Sequence, residues 1–244
     1  MRCQPDERLP VYSWLKNKQS CSLCDEPADT AQRLCSSCEA ELPWLRGHCR
    51  VCALPLPDSG LVCGGCLQRP PSFDRVLAPW RYAFPIDSLI TRFKHQAKWP
   101  LGRLLGELLS QHLGHAFDDG LARPDLLLPV PLADRRQRQR GFNQAALLAL
   151  WLGEQLQLPA QARWLQRIGD TPAQQQLDAA ARKRNLRRAF ALSAESRVTG
   201  LHLALVDDVL TTGATAESLA RLLKKAGAAR VDVYCLARTP KPGD

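Results

Sequence analysis

Residues 201–215 read LHLALVDDVLTTGAT, and this segment gives the strongest indication of the fold class. It begins with an apolar run of leucine, alanine and valine, which is typical of a strand buried on both faces of a sheet. Two adjacent acids, Asp207 and Asp208, follow the run, and a turn of small residues then leads into the helical pattern AESLARLLKKAGA. This order of strand, acids, turn and helix predicts an α/β domain with a parallel sheet.

The same segment has the chemistry of a site for a phosphorylated sugar. The two carboxylates can accept hydrogen bonds from neighbouring ribose hydroxyls, and they are the candidate catalytic residues. N–H groups and hydroxyls at a helix N-terminus can bind a phosphate, and Gly213 lets the backbone approach it. An ordinary strand before a Thr-capped helix is the simpler interpretation, but packing requires neither adjacent acids nor this turn. The candidate phosphate-binding residues are Thr211, Thr212, Gly213, Ala214 and Thr215.

This segment resembles the phosphoribosyl pyrophosphate (PRPP) motif of type I phosphoribosyltransferases. That motif is an apolar strand, two acids and the pattern D-x-x-T-T-G-x-T, which the chain matches from Asp208 to Thr215 without a departure. The resemblance implies a Rossmann-like domain that binds PRPP.

Composition and charge narrow the class of protein. The chain has 244 residues, 45% of them hydrophobic, so it is long enough to bury a sizeable core. Its net charge of +9 favours anionic partners such as nucleotides, pyrophosphates or nucleic acid. The sequence contains no apolar run of bilayer-spanning length and no signal-peptide pattern, so we expect a cytoplasmic protein without membrane insertion.

Cysteine is concentrated in four C-x-x-C pairs within residues 21–66. In a reducing compartment such pairs indicate metal binding, and this segment has too few apolar residues to fold without a staple. We expect two structural Zn²⁺ ions in Cys₄ sites, since four thiolates leave no open coordination position. A crossed arrangement that joins the first pair to the third stays open, and a redox role fits four tandem pairs poorly. The preferred sequential sites are Cys21, Cys24, Cys35, Cys38 and Cys49, Cys52, Cys63, Cys66.

A second anion site is predicted after a short apolar strand at residues 125–132. The following residues, ADRRQRQRGFNQA, crowd four arginines into six positions, and guanidinium groups match phosphate oxygens in pairs. A solvated or nucleic-acid-binding patch is an equal alternative for the arginines alone. If this strand lies beside the strand that carries Asp207, both loops leave the same edge of the sheet, where open α/β sheets bind ligands.

Two further segments have a weaker signal. Residues 169–192 are polar and rich in Gln, Ala and Arg, which is typical of a lid over an anionic substrate. Lys94 lies between two predicted helices, and from the residues alone we favour a solvated helix end there. Pro70-Pro71 marks the expected boundary between a zinc-ribbon module at residues 1–70 and an α/β domain at residues 71–244.

The order of the motifs resembles the ComF family of competence-associated phosphoribosyltransferase-like proteins along nearly the whole chain. The Cys module is followed by LLPVPL and RRQRQRGFNQ, then by TPAQQQL and VDDVLTTGAT. The resemblance implies a double zinc ribbon, a type I phosphoribosyltransferase domain and Mg²⁺ that is bound with PRPP. It assigns Arg135 and Arg136 to the pyrophosphate loop and Lys94 to PRPP binding. It also assigns a flexible catalytic loop to Thr171, Gln174, Arg182 and Asn185.

Two functions of different class follow from the resemblance. The first is a phosphoribosyltransferase that acts in DNA uptake, with an acceptor that no segment of the sequence specifies. The second is an adaptor that binds single-stranded DNA and components of the DNA-uptake machinery, with a vestigial or regulatory PRPP pocket. Aromatic residues for base stacking are sparse, at 6% of the chain, which weakens the second function without affecting phosphate contacts.

Overall fold

The computed structural model describes residues 20–28, 32–168 and 189–241. The chain forms two compact units, Met1–Glu41 and Leu42–Asp244, and each unit contains one group of four cysteines. The expected boundary near residue 70 stays a prediction about domain organisation. The described helices are α1 (Ser36–Ala40), α2 (Gly64–Gln68), α3 (Ile86–Gln96), α4 (Trp99–Asp118), α5 (Asp134–Arg140), α6 (Gln144–Leu156) and α7 (Ala214–Lys225). The described strands are β1 (Arg75–Leu77), β2 (Trp80–Arg81), β3 (Leu126–Pro129), β4 (Leu165–Arg167), β5 (Phe190–Leu192), β6 (His202–Leu210) and β7 (Arg230–Arg238).

The smaller unit is built around its cysteines. The sulfurs of Cys24 and Cys35 lie 3.7 Å apart, and the Cys35 sulfur caps α1 by accepting a hydrogen bond from the Cys38 N–H at 3.5 Å. In this unit the four sulfurs within 4.8 Å of one another belong to Cys21, Cys24, Cys35 and Cys38.

The larger unit contains the second group of four cysteines, and the sulfurs of this group also lie close enough together to bind one metal ion. The Cys52 and Cys63 sulfurs are 3.7 Å apart. Burial raises the pKa of Cys49, but backbone N–H donors from Cys52, Cys63 and Val51 outweigh this effect and lower the pKa to about 7. The thiolate, which is the form that binds metal, is therefore accessible near neutral pH. The group consists of Cys49, Cys52, Cys63 and Cys66.

Both groups fit tetrahedral zinc. Zn–S bonds of about 2.3 Å in a tetrahedron place two sulfurs about 3.8 Å apart, which agrees with the two measured separations. The first two C-x-x-C pairs share one site and the last two share the other, so the sequential pairing is confirmed and the crossed pairing is wrong. Four thiolates complete each coordination sphere, so these are structural sites.

The second cysteine site covers one edge of the sheet. The Val76 N–H of β1 donates to the Val51 carbonyl at 2.9 Å, and the Leu45 N–H donates to the Pro79 carbonyl at 2.7 Å. An edge strand presents unpaired backbone groups, and these contacts satisfy several of them. The zinc-binding segment is thereby part of the larger unit.

A parallel sheet forms the centre of the larger unit. Its strands lie in the order β1-β7-β6-β3, and β2 continues along β7 after a break at Ala78 and Pro79. Proline has no N–H for a ladder, so the segment that runs along β7 is divided into β1 and β2. The parallel α/β fold class predicted from the sequence is confirmed, and β4 and β5 form a separate antiparallel pair.

Helices cover both faces of this sheet. Val231 and Val233 of β7 pack in one apolar cluster with Leu219 and Leu223 of α7. Tyr234 points to the opposite face, because neighbouring residues of a strand alternate, and there it contacts Phe117 of α4 with ring centroids 6.4 Å apart. α6 packs beside α4 on β3 and β6.

Helices α3 and α4 approach each other closely through Gly102. A Cβ at this position would lie 2.4 Å from the Phe93 ring, which is fully buried. Pro100 lies in the first turn of α4, where its missing N–H costs no helical hydrogen bond. Pro100 therefore fits the start of this helix.

In the part of the chain that the structure describes, no helix combines the length and the apolar character needed to cross a bilayer.

We expect the purified protein to contain two Zn²⁺ ions per chain, because each of the two cysteine groups supplies a complete set of ligands. Cys66→Ala should lower the content to about one ion, since three thiolates bind zinc less tightly than four. Elemental analysis after dialysis measures this. The matched control is Cys235→Ala, which removes a buried cysteine outside both groups and should leave the content at two. A full zinc content in Cys66→Ala would contradict the assignment.

Candidate functional site

The candidate site lies at the edge of the sheet where β3 ends beside β6 and β6 continues for another four residues. Pro129 is the register partner of Val206, and the Val130 N–H donates to the Val206 carbonyl at 2.9 Å. Both strands are parallel, so the chain segments that follow them leave the sheet at the same edge. The two strands are therefore neighbours in the sheet, as the prediction of two adjacent anion sites requires.

The adjacent acids lie within β6 rather than after it, because the strand continues to Leu210. Asp207 Oδ1 accepts from the Asp208 N–H at 2.9 Å, and Asp208 Oδ1 accepts from the Val209 N–H at 2.7 Å. Each carboxylate is thus held by the amide of the next residue, which leaves its second oxygen for another partner.

Lys94 neutralises one of the two acids. Its Nζ lies 2.9 Å from Asp208 Oδ2, and the two side chains are 19% and 7% exposed. Lys94 is in the last turn of α3, so the helix carries a cation across to the sheet. The solvated helix end favoured from the residues alone is wrong for Lys94.

Asp207 has no ion-pair partner among the described residues, and its environment disfavours the charged form. Burial and the Asp208 charge raise the pKa of Asp207 from 3.8 to about 8, against smaller opposing effects of the Asp208 N–H and the Lys94 charge. A ligand that offers hydroxyl donors or a cation would stabilise the carboxylate.

Asp232 shows the difference between this acid pair and a structural carboxylate. Asp232 is fully buried in β7, and its Oδ2 lies 3.0 Å from both Arg230 Nη2 and His202 Nε2. A buried charge in a structural role is normally paired in this way. Asp207 lacks such compensation, and uncompensated acids cluster at functional sites.

The turn after β6 is open and has free donors. Thr211 and Thr212 are exposed, and their N–H groups and that of Gly213 have no acceptor among the described residues. The Thr212 hydroxyl accepts from the N–H of Ala214, which begins α7, at 3.3 Å. Thr215 follows in the first turn of the helix. This arrangement can bind an anion.

Gly213 is required for its backbone conformation. Its φ is +76°, a left-handed value that disfavours residues with a Cβ. A Cβ there would lie 3.9 Å from Phe73, which is an ordinary contact. The sequence argument invoked space for an approaching phosphate, whereas the structure shows that the turn itself needs glycine.

The arginine cluster forms a short helix, α5, rather than the loop expected from the sequence. The side chains of Arg135, Arg136, Arg138 and Arg140 form no hydrogen bond or ion pair with another described residue. Asn143 fixes the end of this segment, since its Nδ2 donates to the Val130 carbonyl at 3.0 Å and its Oδ1 caps α6. The loop that carries the arginines is therefore attached to the end of β3.

Sequence reasoning missed two features near this edge. The side chain of Arg238, at the end of β7, donates to the carbonyls of Leu210 and Thr211. Trp99 and Phe142 pack with ring centroids 5.5 Å apart. An arginine at the end of an apolar strand was the only available signal for the first feature, and no local pattern indicated the second.

Part of the predicted site lies outside the described residues. This part is the flexible loop, with Thr171, Gln174, Arg182 and Asn185. Its role stays a prediction.

The raised pKa of Asp207 predicts a pH-dependent stability for the ligand-free protein. Between about pH 4 and pH 8 the folded chain holds a proton that the unfolded chain has released, so stability falls as the pH rises through this window. Asparagine does not ionise, so Asp207→Asn removes this pH-dependent loss of stability. The Tm of the variant should exceed the Tm of the wild type by more at pH 8 than at pH 5. Thermal unfolding at both pH values measures it. Asp118→Asn, at an exposed position, should give no such difference. Equal gains at both pH values would contradict the assignment.

Two family models match the chain. The double zinc ribbon domain matches residues 18–67, and the phosphoribosyl transferase domain matches residues 160–243. The first match includes both cysteine groups, and the second includes β6, the turn after it and β7.

Curated relatives match most of the chain. DNA utilization protein YhgH of Escherichia coli K12 is 39% identical over 221 residues, which cover 90% of this chain and 96% of the relative. Competence protein F of Haemophilus influenzae is 36% identical, with 84% and 90% covered. Competence protein ComFC of Bacillus subtilis is 28% identical, with 85% of each chain covered.

Solved phosphoribosyltransferase structures match just over half of this chain at low similarity. An adenine phosphoribosyltransferase is 19% identical, covers 60% of this chain and 74% of its own, and gives a TM-score of 0.38. A glutamine PRPP amidotransferase of Bacillus subtilis is 22% identical and gives a TM-score of 0.37, and the match covers 55% of this chain and 25% of the amidotransferase. With its double zinc ribbon, its phosphoribosyltransferase-type parallel sheet and relatives that match nearly its full length, the chain belongs to the ComF family.

Proposed function

We propose that the protein binds PRPP at the edge of the sheet where β3 and β6 end, and that it transfers the phosphoribosyl group to a nucleophile. One observation carries this proposal. The turn at residues 211–213 is open, and its three N–H groups have no acceptor among the described residues. It follows an acid pair in which Asp207 has no counterion within the described part of the chain. A ligand with a phosphate at one end and vicinal hydroxyls beside it satisfies both groups.

The phosphate and the ribose are assigned to consecutive parts of one segment. The 5-phosphate accepts hydrogen bonds from the turn and from the first turn of α7, whose dipole favours the negative charge. The ribose hydroxyls donate to Asp207 and Asp208. Lys94, which is 2.9 Å from Asp208, limits the repulsion between the acids and stays near the negatively charged ligand.

The pyrophosphate is assigned to the loop after β3. Arg135 and Arg136 are exposed on α5 and have no partner among the described residues. Free guanidinium groups bind phosphate oxygens in a bidentate manner. Since β3 and β6 are neighbours, one PRPP molecule can reach both loops.

The proposed reaction is a substitution at C1 of the ribose. A nitrogen nucleophile forms a bond to C1, the C1–O bond to pyrophosphate breaks, and the electron pair leaves with the pyrophosphate. Mg²⁺ bound with PRPP would supply further neutralisation of the charge on the leaving pyrophosphate. The protein positions the partners and stabilises the departing charge through Arg135 and Arg136.

The cellular role is proposed from the relatives. Those named for DNA utilization and for competence match 84–90% of this chain. We place the protein in DNA uptake on this ground. A nucleotide or a strand end would then be a natural source of the acceptor.

Asp207→Asn/Asp208→Asn should lower the affinity for Mg-PRPP by on the order of 100-fold or more, because both carboxyl groups that accept the ribose hydroxyls are lost. Isothermal titration calorimetry measures the affinity, and circular dichroism with zinc content checks the fold. Asp118→Asn/Asp119→Asn is the matched control, since it changes an adjacent acid pair at the end of α4. Unchanged affinity in the Asp207/Asp208 variant would refute the proposed site.

A second function, binding of single-stranded DNA, is favoured by an observation of its own. Trp99 is 48% exposed and packs on Phe142, and Phe142 comes two residues after the end of α5 with its unpartnered arginines. Aromatic faces beside cations are typical of surfaces that bind single strands. This function is compatible with PRPP binding, because a strand that approaches α5 also approaches the end of β3.

Trp99→Ala should weaken binding of a fluorescent oligothymidylate by roughly 5–100-fold, since stacking contributes about 1–3 kcal/mol per base. The slope of log affinity against log salt should stay the same, because phosphate contacts are unchanged. Fluorescence anisotropy over a salt series measures both quantities. Phe84→Ala is the control, since Phe84 is 78% exposed and aromatic but distant from α5 in sequence. A wild-type protein that does not bind the oligonucleotide at low salt would eliminate this function.

A further inference from the structure

Arg238 is a buried cation whose described partners are all carbonyl groups. It ends β7, and its residue surface is 7% exposed. Its Nε donates to the Cys52 carbonyl at 2.9 Å, and its Nη1 donates to the Leu210 carbonyl at 3.0 Å and also to those of Thr211 and Thr239. No carboxylate of a described residue forms an ion pair with it. Burying a charge without a counterion costs free energy of folding, so we expect Arg238 to have a role other than packing.

The acceptors of Arg238 belong to two distinct parts of the larger unit. Cys52 is a ligand of the second zinc site, whereas Leu210 and Thr211 lead into the turn at residues 211–213. One rigid guanidinium group thus joins the zinc-binding segment to the turn. The planar fork of the group allows its donors to reach both parts in a fixed geometry.

The hydrogen bonds also orient the donors of the turn. In a trans peptide the C=O of one residue and the N–H of the next point in opposite directions. Because the Leu210 and Thr211 carbonyls point at Arg238, the N–H groups of Thr211 and Thr212 point away from it. These are two of the N–H groups that have no acceptor among the described residues.

We infer that Arg238 is a positioning residue that couples the second zinc site to the phosphate-binding turn. This inference rests on the proposed binding of a 5-phosphate at residues 211–215. Zinc holds the Cys52 carbonyl in place, Arg238 is held between that carbonyl and the turn, and the turn presents its N–H groups to the phosphate. The positive charge of Arg238 lies behind the turn, where it attracts the same anion.

Coupling of this kind is reciprocal. If zinc at the second site raises the affinity for the phosphate, bound phosphate must raise the affinity for that zinc by the same factor. The described partners of the Arg238 side chain include a residue of the second zinc site, so we expect that site to respond and the other to stay unchanged. This asymmetry between two Cys₄ sites of equal chemistry provides an internal control in one molecule.

The test uses the zinc-loaded full chain and ribose 5-phosphate. Equilibrium competition with a chromogenic chelator gives the affinity of each zinc site with and without saturating ligand, and calorimetry gives the ligand affinity. In the wild type we expect ligand to raise the zinc affinity of one site about tenfold and to leave the other unchanged. In Arg238→Met we expect ligand to bind about tenfold more weakly and to protect zinc less than twofold.

Two further variants separate coupling from charge and from general damage. Arg238→Lys keeps the charge but not the planar fork, so it should recover part of the affinity without the zinc protection. Arg81→Met is the matched control, because Arg81 lies on β2 beside Arg238 in the strand register and is exposed. The Arg81 side chain forms no hydrogen bond or ion pair with a described residue. It should behave as the wild type in both measurements.

The outcomes distinguish the two proposals. If ribose 5-phosphate does not bind the wild type, the proposed function fails and this inference fails with it. If the ligand binds but changes the zinc affinity of neither site, or changes both equally, the inference alone is overturned. The wild-type measurement decides this even if Arg238→Met does not fold.

Discussion

The parallel alignment of β3, β6 and β7 is the constraint on which the rest of the structure depends. Residues 203–206 of β6 are fully buried, and their neighbours on both sides are parallel strands. Apolar burial fixes the register, because a shift by one residue would reverse every side chain. The register in turn places the acid pair, the arginine-bearing segment and the end of β7 at one edge.

Charge is distributed unevenly at this edge. Asp208 has Lys94 as a partner, whereas Asp207 remains in an environment that raises its pKa to about 8. The ligand-free state therefore retains an electrostatic cost that a suitable ligand would relieve. Such a cost at a strand end is characteristic of a binding site, because a purely structural acid would acquire a partner, as Asp232 does on the same sheet.

The second zinc site contributes to the α/β unit as well as to its own segment. It covers β1 through the Val51 carbonyl, and it contacts Arg238 through the Cys52 carbonyl. Zinc coordination releases enough free energy to order a segment with few apolar side chains. A metal staple can thus support an edge of the sheet and, through Arg238, a turn that follows a neighbouring strand.

The sequence by itself determined the features that depend on local pattern. The C-x-x-C spacing predicted two Cys₄ sites, and the apolar run before Asp207 predicted a buried parallel strand that precedes a turn and a helix. These predictions succeeded because the relevant interactions join residues close together in the chain. The helical form of residues 134–140 was missed, since a polar arginine run has no apolar periodicity.

Only the tertiary structure decided which distant residues meet. The ion pair of Lys94 with Asp208 depends on how α3 lies against the sheet, and the hydrogen bonds of Arg238 depend on the order of the strands. Sequence pattern carries no direct information about such contacts. Lys94 and Asp208 are more than a hundred residues apart, Arg238 and Leu210 are a few tens of residues apart, and no common periodicity relates the members of either pair. The physical reason is that burial of the sheet, not local preference, sets these distances.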